Sequence, residues 1–90
     1  MKEVIITVVG KNRPGVLAEV SSAIADMNGN IMDISQQIVK GYFNLIMLVD
    51  ISQAIPDFKN FQEKLERLSE HKGYKISVHN KKMFQYINRI

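Results

Sequence analysis

The chain has 90 residues, 46% of them hydrophobic, which makes one domain with a single core and excludes a second catalytic domain. A net charge of +3 is too small to mark a nucleic-acid binder by itself, and it is unevenly placed: residues 1–70 hold seven Lys and Arg against nine Asp and Glu, while residues 71–90 hold five Lys and Arg and no acid. The absence of cysteine excludes a disulfide framework, a thiolate metal site and a cysteine nucleophile.

Val4, Ile5, Ile6, Val8 and Val9 form a dense β-branched run of strand length, which predicts a buried first strand. This segment has neither the charged start nor the long apolar stretch of a signal peptide. The longest apolar run, Leu45 to Val49, is far short of a membrane span. A soluble, cytoplasmic chain with no membrane partner is therefore expected. After Gly10, the residues Val16, Leu17, Val20, Ile24 and Met27 recur on one helical face, with Pro14 fitting the first helical position and Gly29 the position just past the end. Asn30 to Val39 alternates in part and predicts a second strand with one wet face. Lys40-Gly41 predicts a tight hairpin turn into a third strand, Tyr42 to Ile51, whose Leu45–Val49 run predicts cover on both faces. Ala54 to Asp57 breaks that strand. Phe58, Phe61, Leu65 and Leu68 then repeat at spacings of a second amphipathic helix, which Gly73 ends. Tyr74, Ile76 and Val78 alternate with Lys75, Ser77 and His79 as a one-sided fourth strand, and Met83, Phe84, Ile87 and Ile90 predict a short terminal helix.

The order βαββαβ predicts an α+β, ferredoxin-like unit: a four-stranded antiparallel sheet with two helices on one face. Residues 1–80 form this unit and 81–90 a helical tail packed on the same domain or on a partner subunit. The apolar second face of the third strand calls for such a cover, since a monomer with two helices leaves that face open.

The segment Asn12-Arg13-Pro14-Gly15-Val16-Leu17 joins the first strand to the first helix, and Gly29-Asn30-Ile31 opens the second strand. This combination, over residues 3–80, resembles the ACT domain, and the chain is most similar to its short stand-alone members. The resemblance implies a small-molecule effector, commonly an amino acid, bound at a subunit interface by the loop before the first helix and the start of the second strand. Carried over by position, the ligand-binding residues are Asn12, Arg13, Pro14, Gly15, Val16, Leu17, Asn30 and Ile31. Where serine-binding members have a histidine two residues before the asparagine, this chain has Gly10, so that polar contact is missing.

The chemistry of the loop suits this use. A glycine admits close approach of the backbone, free N–H groups at a helix start favour a carboxylate, Asn12 both donates and accepts, and Arg13 adds a charge-assisted bond. The structural alternative is that Asn-Arg-Pro-Gly is a turn and helix start, with Asn12 as a local cap and Arg13 in water.

No catalytic set emerges. His71 and His79 share no metal-ligand spacing, the carboxylates fit strand ends and a solvated helix face, and neither a phosphate loop nor a dinucleotide fingerprint occurs. No cofactor and no metal are expected. Lys40-Gly41-Tyr42-Phe43 echoes an RNA-recognition pattern but sits in a hairpin turn and continues into aliphatics, which argues against nucleic acid. The expectation is a non-enzymatic regulatory domain that binds an amino acid as a homodimer or higher homo-oligomer, with another protein as its output. The alternative is a ligand-free protein–protein interaction module; an RNA-binding module and a small enzyme stand behind both.

Overall fold

The first strand, β1 (Glu3–Lys11), carries branched residues on alternate positions, and Val4, Ile6 and Val8 are fully buried beneath the helices. The computed structural model describes residues 2–54, 57–70 and 72–82. After β1 come α1 (Val16–Asp26), β2 (Asn30–Val39), β3 (Tyr42–Asp50), α2 (Phe58–Leu68) and β4 (Tyr74–Asn80). The strands form one sheet in the order β2-β3-β1-β4 with every neighbouring pair antiparallel. This is the ferredoxin-like arrangement expected.

Val16, Val20 and Ile24 of α1 and Phe61 and Leu65 of α2 join Val4, Ile6, Val8, Leu45, Met47, Ile76 and Val78 in one core, so both helices cover the same sheet face. Helix α2 lies along β4, and α1 lies towards β2. Only one face of β3 is fully covered: Phe43, Leu45, Met47 and Val49 are buried, while on the other face Leu48 is half-buried and Ile46 is 37% exposed. The double cover expected for β3 is thus partial.

Both helix ends of α1 differ from expectation. The helix starts at Val16, with Gly15 as N-cap at φ 89°, because this left-handed conformation lets the chain turn out of the loop; Pro14 lies in the preceding turn. At the other end the left-handed residue is Asn28 (φ 61°), whose N–H donates to Ala25 O at 2.9 Å while Gly29 N–H donates to Ile24 O at 2.9 Å. That pair of bonds is a Schellman closure. Gly29 follows for a different reason: a Cβ there would stand 2.7 Å from Ile24 Cγ2. The predicted hairpin turn is present, with Lys40 at φ 53° and Gly41 at φ 81°, both central residues left-handed as a type I′ turn requires. Helix α2 ends earlier than Gly73, with Ser69 as its C-cap, and Gly73 (φ 82°) turns the chain into β4.

A register shift between Ile31 and Asp33 moves the parity of β2, so that Ile31, Ile34 and Ile38 pair with Val49, Met47 and Phe43 of the helix-covered face. The strand nonetheless runs exposed along nearly its whole length. Lys81 and Lys82 are helical; the rest of the expected tail helix, like His71, lies outside the described residues.

Candidate functional site

The loop of residues 12–17 is held at one end of the sheet. Asn12 is exposed and its backbone N–H donates to Gly41 O at 2.9 Å, which ties the loop to the tip of the β2–β3 hairpin. Glu19 N–H donates to Gly15 O at 2.9 Å and closes the first turn of α1, and no side chain caps that helix start. The local-cap role considered for Asn12 is therefore taken by the Gly15 backbone. Val16 is buried in the core, and Leu17 points outward at 39% exposure.

Arg13 is engaged within its own chain. Its guanidinium grips Glu19, with Nη2 3.1 Å from Oε1 and Nη1 3.3 Å from Oε2, and its Cζ lies 5.4 Å from the centre of the Tyr74 ring. The Tyr74 hydroxyl donates to Glu19 Oε1 at 2.9 Å, and Lys72 Nζ stands 4.0 Å from the same oxygen. Charge and hydrogen bonding act together on this cluster. The bond from Arg13, then that from Tyr74, holds the Glu19 carboxyl below its ordinary range, the same ion pair raises Arg13, and burial, reinforced by the bond to Glu19, pushes the Tyr74 phenol up to about 12.

Gly10 lies under the same cluster. A Cβ there would stand 2.7 Å from Gly73 O and 2.7 Å from Tyr74 Cβ, so β4 presses too close for any side chain. Tyr74 packs edge-on against Phe43, with centroids 6.4 Å apart. Gly10 thus makes room for Tyr74, whose hydroxyl joins the cluster with Glu19 and Arg13. Sequence reasoning named Arg13 but missed Glu19, Lys72 and Tyr74. Glu19 in the first turn of a helix was the one available signal, because its partner Tyr74 lies 55 residues away.

Asn30 and Ile31 stand elsewhere. Asn30 is exposed opposite Asp50, and Ile31 packs against the core. Asn12 follows Lys11, which is opposite Tyr42. Tyr42 and Asp50 are the two ends of β3, so the two asparagines of one chain are roughly 27 Å apart along the sheet at about 3.4 Å per residue. One chain does not bring them together.

The two sheet edges are unequal. At β4, Gln62 Nε2 donates to Val78 O at 2.8 Å and Val78 N–H donates to Glu66 Oε2 at 3.1 Å, so side chains of α2 occupy both backbone groups of Val78. Along β2 the described residues give one such bond, from Ile34 N–H to Asp33 Oδ1 at 2.9 Å. Met32, Ile34, Ile38 and Val39 are 41–55% exposed there. Among the described residues no three His, Cys, Asp or Glu side chains gather to hold a metal ion, and no helix is long and apolar enough to cross a membrane.

Comparison with known proteins agrees with this architecture. The ACT domain profile matches residues 2–79. A UPF0237 protein of Methanococcus maripaludis is 44% identical over 90 residues, covering 100% of both chains. The solved structure of an ACT domain protein from Streptococcus pneumoniae superposes with a TM-score of 0.80 at 34% identity, over 93% of this chain and 94% of that one. The regulatory subunit of aspartate kinase from Thermus thermophilus shares the fold at 21% identity, with a TM-score of 0.64 over 87% of this chain and 50% of that one. This chain belongs to the ACT domain family, a family of regulatory, ligand-binding domains, and groups with its single-domain UPF0237 members.

Proposed function

We propose that this protein is a non-enzymatic, cytoplasmic sensor of an amino acid that acts as a homo-oligomer, its site completed between two subunits. The observation that carries the reading is the separation of Asn12 and Asn30 at opposite ends of one sheet beside an unguarded β2 edge. Two copies paired antiparallel through β2 bring the Asn30 of one to the hairpin end of the other, where Gly41 holds Asn12. The uncapped start of α1 supplies backbone N–H groups for the carboxylate, Asn12 and Asn30 supply orienting polar contacts, and exposed Leu17 supplies apolar contact. With Arg13 already paired to Glu19, the ligand carboxylate relies on the helix start. Binding across the interface stabilises one arrangement of the pair, and a partner protein senses that arrangement through differential affinity.

Thermal unfolding with each of the twenty amino acids tests this reading, together with mass in solution. A ligand at 100 times its Kd adds about 2.7 kcal/mol, a shift of many degrees in a domain of this size. The expected result is a saturable shift for one or a few amino acids that Asn12→Ala and Asn30→Ala each abolish. Engagement of Arg13 by Glu19 favours a second reading, a ligand-free interaction module. An oligomer with no shift for any amino acid selects it.

A further inference from the structure

We propose that the hairpin end of the sheet face that carries no helix is a docking surface for an acidic, apolar segment of a partner protein. Strand register sets two rows of side chains next to each other there. Val39 of β2, Tyr42 of β3 and Lys11 of β1 form the last row, and Gln37, Asn44, Val9 and Lys75 form the row before it across all four strands. These positions alternate with the buried Val8, Phe43, Leu45 and Ile76, so their side chains point away from both helices. All seven are exposed, and the apolar three, Val9, Tyr42 and Val39, are 46–56% exposed. Lys40, in the turn that follows Val39, stands exposed beside the last row.

Charge on this face is divided along the strands. Neither row holds an Asp or Glu, and the next row, Ser35, Ile46, Thr7 and Ser77, is uncharged; Asp33, Glu3 and Asp50 stand towards the opposite end. Arg13 and Lys81 each have a carboxylate partner, at 3.1 and 2.7 Å, whereas among the described residues Lys11, Lys40 and Lys75 have none. Three such lysines around three exposed apolar side chains are complementary to carboxylates interleaved with apolar residues. The apolar contacts favour a peptide over single-stranded nucleic acid, because Tyr42 is the one aromatic among the described residues of this face and the two valines offer no plane for a base. The four-strand row is about 14 Å wide at roughly 4.8 Å between strands, the length of about four extended residues. The surface lies on a face and not on the β2 edge, so pairing of subunits through β2 leaves it open, and it requires no amino-acid ligand.

Selection from a random peptide library displayed on phage, against the whole chain with no amino acid added, tests this surface. The expected outcome is enrichment of peptides in which Asp and Glu are interleaved with apolar residues. A fluorescein-labelled synthetic copy of an enriched peptide then binds with a saturable rise in anisotropy. Binding is about tenfold weaker to Lys11→Glu/Lys75→Glu and to Tyr42→Ala, and unchanged for Lys59→Glu/Lys64→Glu, which alters net charge equally at exposed positions of α2. Circular dichroism of each variant matches that of the parent, since the substituted side chains are exposed. The proposal is overturned by failure to enrich any peptide, by enriched peptides with no acidic excess, or by an equal loss in the α2 variant. It is also overturned if a uridine oligonucleotide displaces the labelled peptide at lower concentration than the unlabelled peptide does, a result that assigns the face to nucleic acid.

Discussion

At the scale of single residues, Glu19 and Tyr74 show how a contact between distant segments changes acid–base behaviour. Glu19 is held below its ordinary value of 4.5, chiefly by the bond from Arg13, so its contribution is present above that value and is lost as pH falls through the folded-state value. Tyr74 acts in the opposite range. Its phenol is raised from 10.0 to about 12, chiefly by burial, so above pH 10 the unfolded chain releases a proton that the folded chain retains. Stability is therefore expected to fall between pH 10 and pH 12, and Tyr74→Phe flattens that slope; urea midpoints of both proteins across the range provide the check. Equal slopes would mean that the Tyr74 proton is not held by the fold. Gly10 belongs to the same neighbourhood, since its missing side chain is what lets Tyr74 lie against β1.

At the scale of elements, capping and edge protection determine where each segment stops. Asp57 is the N-cap of α2 and its carboxylate accepts Asn60 N–H at 3.1 Å. Asp57→Ala should cost about 1 kcal/mol, in a range of about 0.5–2 kcal/mol, measured as a lower urea midpoint with an unchanged slope. A loss below a few tenths would show that Asn60 N–H finds water instead. The effect reaches past the helix, because α2 also carries Gln62 and Glu66 to the outer edge of β4. Helix periodicity exposed the buried stripe of Phe61 and Leu65 in the sequence, but nothing in the spacing of Gln62 and Glu66 announced their bonds to Val78. Those bonds depend on how α2 lies along β4, a contact across 12 and 16 residues that no local pattern encodes.

At the scale of the whole molecule, the proposed association through β2 rests on the bonds that α2 makes to Val78 of β4 and on the exposure of β2. Ile34→Lys, at a position 43% exposed in the single chain, should leave the circular dichroism of the fold intact and reduce the oligomer to monomers in sedimentation equilibrium. An unchanged mass would place the interface elsewhere. The sequence by itself determined the element order, the buried stripes, the loop that carries Asn12 and the strand start that carries Asn30, because alternation, helical spacing and turn residues are local properties of the chain. It also carried the family resemblance in the same loop. Only the tertiary structure decided that Arg13 is spent on Glu19, that Gly10 is forced by the approach of Tyr74, and that Asn12 and Asn30 lie at opposite ends of the sheet. Each of these depends on strand order and register, which bring together residues far apart in sequence and separate residues that a linear motif reads as one site.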